Sequence, residues 1–153
     1  MLDRLRAWLE DEKGAVRGGR DELQLAVAAL LIEAGQVDAA LGAPERDLIG
    51  RLLERRFGLG PAESQNLREA AEQRAEHAAQ LFGFVRTINE RLPRERRIEI
   101  VEMLWEVAYA DGVLDPLEDA LLRRIGGLID VSDRERGAAR LRVVERLRIA
   151  EEE

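Results

Sequence analysis

The chain has 153 residues, 46% of them hydrophobic, with 24 Lys+Arg against 31 Asp+Glu and a formal net charge of −7. That length and apolar share predict one domain with a buried core, and the acidic balance argues against a nucleic-acid partner. Cysteine is absent and His77 is the single histidine, which excludes thiolate catalysis, cysteine–zinc and iron–sulfur sites, disulfides and any centre that needs two imidazoles. Charges stand where a signal peptide would carry its apolar run. The longest apolar run, Leu25 to Ile32, falls well short of the ~18 residues of a membrane span. A cytoplasmic chain is expected.

In chain order, Leu2, Leu5, Trp8 and Leu9 fall on one face of a short amphipathic helix. Its mixed charges favour docking on its own bundle or on a partner over contact with a membrane surface. Residues 13–20 read as a Gly-rich loop, so 1–20 form an appendage and 21–148 a single helical domain. A helix opening near Asp21 and running to about Val37 is apolar nearly all round between 25 and 32, which makes it central. Pro44 suits a first turn, and Leu48, Ile49, Leu52 and Leu53 give that helix its stripe up to Phe57, with Gly58 as a left-handed cap.

Pro61 opens a polar helix to about residue 80, faced by Leu67, Ala70, Ala71 and Ala78. The spacing continues through Leu81, Phe84, Val85, Ile88 and Leu92 after a kink at Gly83. Pro93 starts a strongly apolar helix, Ile98 to Ala110, and Asp115-Pro116-Leu117-Glu118 opens another to about Ile129. Ser132 and Glu135 have capping-box spacing and open the last helix, which frays at Glu151-Glu152-Glu153. No run alternates apolar and polar residues between turns. The predicted fold is all-α, a compact bundle of seven to eight short helices.

A repeat organises the acids. Laid over each other at an offset of 73 (31 to 104), Leu31–Leu52 and Leu104–Ile125 share Leu31/Leu104, Glu33/Glu106, Asp38/Asp111, Leu41/Leu114, Glu45/Glu118, Leu48/Leu121 and Arg51/Arg124. Each copy reads as helix, acidic turn, helix, which suggests a pseudo-twofold pair of helical hairpins. The second copy gathers Glu106, Asp111, Asp115 and Glu118 around Gly112. An oxygen-only set of this kind suits a hard cation such as Ca²⁺, Mg²⁺ or Mn²⁺. It is not an EF-hand, because Gly follows Asp111 directly and Glu118 comes too early. Helix grammar supplies a competing account. Asp115, Pro116 and Glu118 match an N-cap, a first-turn proline and an N3 glutamate, and Glu106 continues an acidic stripe of Glu95, Glu99 and Glu102.

The segments Leu25–Phe57 and Ile98–Arg134 resemble the tellurite-resistance TerB-like family. The carriers in the first half are Leu30-Leu31-Ile32-Glu33-Ala34, Pro44-Glu45-Arg46 and Arg56-Phe57-Gly58-Leu59. In the second half they are the run from Arg97 through Trp105 to Gly112 and Val131-Ser132, with Phe84 to Asn89 between. The resemblance implies an all-helical protein, cytoplasmic or membrane-peripheral, with a divalent-metal site of acidic residues. Matched residue by residue, it implicates Glu33, Asp38, Glu106, Asp111, Asp115 and Glu118. The first copy departs from the pattern, since Ala39 follows Asp38 and Gly42 stands at the position of Asp115.

Other constellations are thin. His77 lacks a glutamate three residues before it, so a Glu-x-x-His di-iron site is absent. Ser64 and Ser132, the only serines, both sit at helix starts, and there is no phosphate-binding glycine loop. Trp105 and Tyr109, four apart, read as core, and Arg94-Glu95-Arg96-Arg97 as a solvated helix start. The expectation is a non-enzymatic acidic module that binds a divalent cation and serves in tellurite or general stress response. The alternative is a metal-free interaction or scaffold module whose acids only cap helices. A protein partner or a homodimer suits either.

Overall fold

The structure, a computed structural model, describes residues 17–36, 41–75, 80–110 and 116–152. Among them are seven helices and no strand: α1 (Arg17–Gly35), α2 (Ala43–Phe57), α3 (Pro61–Ala75), α4 (Gln80–Arg91), α5 (Arg94–Ala108), α6 (Pro116–Leu128) and α7 (Asp133–Glu152). The expected all-α bundle is what forms. Residues 1–16, most of the expected 1–20 appendage, and His77 lie outside the described residues.

Local grammar sets most helix ends. α2 opens from extended Gly42 with Pro44 in its first turn, and it ends on Gly58 at φ 66°, ψ 36°. That left-handed cap lets the Leu59 N–H reach back to the Glu54 carbonyl at 3.2 Å. α5 starts behind Pro93, whose carbonyl accepts from the Arg96 and Arg97 N–H groups. α7 starts on a reciprocal capping box. The Ser132 N–H donates to Glu135 Oε1 at 3.0 Å, and the Glu135 N–H donates to Ser132 Oγ at 3.1 Å.

Some boundaries differ from the sequence reading. α1 begins at Arg17, so Gly18 and Gly19 are helical rather than part of a loop. Extending a helix adds a hydrogen bond per residue without a new nucleus, which offsets a glycine penalty of about 1 kcal/mol. α4 runs unbroken through Gly83. Gly83 is exposed and retains its N–H, so it weakens the helix without ending it. The start of α5 agrees with the sequence reading: the helix takes in Arg94 to Arg97, with Pro93 as its N-cap five residues ahead of Ile98. Ala70 faces solvent; Ala71 and Leu67 carry the inner face of α3. α7 stays helical to Glu152.

The core surrounds α1. This helix touches α2, α3, α4, α5 and α6, and every residue from Ala26 to Ile32 is fully buried. Four alanines in α1 (Ala26, Ala28, Ala29 and Ala34) let neighbouring helices approach closely. Ser64, buried in the first turn of α3, donates Oγ to the Gly50 carbonyl at 2.7 Å and ties α3 to α2.

The repeat is real in three dimensions. The inner ends of the hairpins keep the sequence offset, with helices ending at Gly35 and Ala108 and restarting at Ala43 and Pro116. Burial repeats as well. Leu31/Leu104, Ala34/Val107, Ile49/Leu122 and Leu52/Ile125 are buried, Glu33/Glu106 and Leu48/Leu121 half-buried, and Arg51/Arg124 exposed. At the outer ends the offset shortens by one residue. Asp130, at φ 62°, takes the left-handed role of Gly58, and the Val131 N–H reaches the Gly126 carbonyl at 2.8 Å.

Candidate functional site

The described part of the second acidic turn is carried by the end of α5 and the start of α6. Trp105 anchors α5. It is buried, its Nε1–H donates to the Arg136 carbonyl at 3.2 Å, and its ring stacks on Tyr109 with centroids 6.0 Å apart. The Arg140 guanidinium lies over both rings, and Arg140 Nε donates to the Tyr109 hydroxyl at 2.7 Å. This aromatic and cation–π cluster fixes the end of α5 against α7.

The acids on α5 are matched by arginines. Arg146 on α7 donates to Glu102 Oε1 and Glu106 Oε1, each at 2.8 Å, and so clamps two carboxylates one turn apart. Glu102 is only 3% exposed on its side chain and also faces Arg142 at 3.5 Å. Glu99 pairs with Arg96 on the same helix. Glu106, expected as a metal ligand, therefore already carries a cationic partner. Sequence reasoning missed Arg146 because it comes from 40 residues away.

Glu33 occupies the matching place on α1. Burial pushes its carboxyl above the ordinary range, and the Arg124 guanidinium partly offsets that. Arg124 belongs to the second copy and Glu33 to the first, so the positive charge near Glu33 comes from the other hairpin. Glu118, in the first turn of α6, is buried at 7% exposure. Its mate Glu45 is half-buried and folds over Gly42, where a Cβ would stand 2.6 Å from Glu45 Oε2. Glu45 Oε2 is the far end of a flexible side chain and can move aside, and the second copy carries Asp115 with Glu118 at the same spacing, so nothing in the structure explains glycine at 42.

The donor set fits a hard cation by chemistry, since it consists of carboxylate oxygens alone. Asp38, Asp111 and Asp115 lie outside the described residues. Among the described residues, no three His, Asp or Glu side chains gather closely enough to hold a metal ion.

A family model described as tellurite resistance protein TerB matches residues 24–141. The chain belongs to the TerB family. The match takes in both hairpins of this TerB-family chain, with Glu33, Glu106 and Glu118 inside it, and it ends midway along α7. No curated protein and no solved structure matches the chain. No helix among the described residues is long and apolar enough to cross a membrane.

Proposed function

We propose that this TerB-family chain is a non-catalytic module that binds a hard divalent cation, Ca²⁺, Mg²⁺ or Mn²⁺, at the turn between α5 and α6. Asp111, Asp115 and Glu118 are the principal oxygen donors, helped by Glu106 and, across the pseudo-twofold, by Glu33 or Asp38. The role proposed with it is a cytoplasmic one in tellurite or general stress response. The observation that carries the reading is the repeat. Two hairpins that share their inner ends carry matched carboxylates in Glu33/Glu106, Asp38/Asp111 and Glu45/Glu118, although helix capping does not require Glu33 and Glu106 to match. The absence of cysteine and of a second histidine leaves catalysis dependent on the ion itself.

The test is a thermal melt of the purified chain in EDTA against millimolar Ca²⁺, Mg²⁺ and Mn²⁺, with metal analysis of the protein as purified. An ion at 100 times its Kd stabilises a fold by about 2.7 kcal/mol. For a domain of this size that raises the midpoint by roughly 5–11 °C, at 2–4 °C per kcal/mol. Asp111→Asn is expected to remove most of the shift and leave the midpoint in EDTA near that of the wild type. A midpoint that no ion moves overturns the metal reading.

The second reading, a metal-free interaction or scaffold module, is favoured by one observation. Arg146 and Arg142 already neutralise Glu106 and Glu102, so these acids have a structural use without an ion. Unchanged midpoints together with capture of a protein partner would establish it.

A further inference from the structure

Two cations have a claim on Glu106. The cation reading gives it to a divalent ion, whereas in the structure Arg146 holds it. Arg146 Nη2 donates to Glu106 Oε1 and Arg146 Nη1 to Glu102 Oε1, each at 2.8 Å. Glu102 also faces Arg142 at 3.5 Å. Two arginines of α7 thus stand against two carboxylates of α5, and these four groups sum to no net charge. Resting on the cation reading, we infer that Arg146 competes with the divalent ion for Glu106, so that Arg146 sets the affinity of the site and ion binding loosens the C-terminal end of α7.

Two arguments carry it. The first is charge. Glu106 Oε1 already accepts from a guanidinium, and a charge-assisted bond of this kind is stronger than a neutral one. A double positive charge a few ångströms from a single one is repelled even in water, by roughly tenfold in affinity. The Arg146 side chain is 40% exposed, so it has room to turn into solvent when an ion takes Glu106. Glu102, which is buried, then still faces Arg142. The second is the way the end of α7 is held. From Arg140 to Arg148, Val143 is the only buried residue, so apolar burial does little for this stretch. Three of its arginines reach the end of α5: Arg140 meets the Tyr109 hydroxyl, Arg142 faces Glu102, and Arg146 binds Glu102 and Glu106. Arg146 is the farthest of the three along the helix, so releasing it frees the last turns first. The coupling is reciprocal, since an ion that weakens the Arg146 contact is itself weakened by it to the same extent.

Calorimetric titration of the full chain with Ca²⁺, Mg²⁺ and Mn²⁺ tests the affinity. Arg146→Met, which removes the charge and keeps an apolar stem, is expected to bind the ion about tenfold more tightly than the wild type. Arg146→Lys keeps the charge and should bind like the wild type. Arg146→Met/Glu106→Gln should lose the gain. Amide hydrogen exchange on the unaltered chain, read by mass spectrometry, tests the release. A saturating ion should speed exchange over residues 143–152 by about fivefold and leave residues 98–105 of α5 unchanged. Binding that Arg146→Met leaves unchanged or weakens overturns the inference, as does exchange over 143–152 that the ion leaves unchanged or slows. In either case, ion binding that Asp111→Asn abolishes keeps the cation reading standing. An ion that binds neither the wild type nor Arg146→Met overturns both.

Discussion

Glu33 shows what the bundle does to a single carboxylate. Burial raises its pKa, and Arg124 only partly compensates. The unfolded chain returns the group to its ordinary value, so between the two pKa values the folded chain binds more protons. Stability then falls as pH rises through that window. Glu33→Gln is expected to melt above the wild type at pH 7 in EDTA, and the gap should close as pH drops below the ordinary carboxylate range. Glu135 behaves in the opposite sense. The backbone N–H of Ser132 and then the Arg94 guanidinium hold its carboxyl below the ordinary range. Its contribution is present above the ordinary pKa and is lost as pH falls through the depressed one. Glu135→Gln should therefore melt lower than the wild type at pH 7 and match it in acid. Ser132→Ala, which removes the cap, should cost about 1 kcal/mol by denaturant titration.

The helices were legible where their punctuation is local. Pro44, Gly58, Pro61, Pro93 and the Ser132/Glu135 box each act within a turn of their own position, and each marks the end that the sequence assigns to it. The start of α1 and the unbroken run of α4 through Gly83 were not legible. Glycine lowers helix stability without forbidding it, and packing elsewhere decides how far a helix extends. The candidate site divides in the same way. The repeat is a pattern within the chain, so Glu33, Glu106 and Glu118 could be found by laying it on itself. The Arg146 clamp and the Arg124 charge depend on which helices lie side by side, and no local spacing encodes that. The paired caps offer a test at this scale. Gly58→Ala places a Cβ at φ 66° and is expected to cost about 1 kcal/mol or more. Asp130→Gly, at the equivalent cap, relieves a non-glycine residue at φ 62° and should leave stability unchanged or improved.

At the scale of the whole molecule, each hairpin is tied to a helix that follows it, the second to α7 and the first to α3. Trp105, Tyr109, Glu102 and Glu106 all engage α7, whereas the first hairpin is joined to α3 through Ser64 and through Glu72, which holds Arg46 and Arg68. α1, the first helix of the first hairpin, packs against five others, α2 to α6. Most helices have a wet face, and substitutions on it are forgiven every third or fourth residue. From Ala26 to Ile32, α1 has no such face. In a saturation library scored for folded protein, tolerance along most helices should rise and fall with the helical period. Over these seven positions it should stay flat and low, with charged residues rejected at every one and residues larger than alanine rejected at Ala26, Ala28 and Ala29 through overpacking. The stretch that sequence pattern marks as central is thereby the part of the chain with the least freedom to vary.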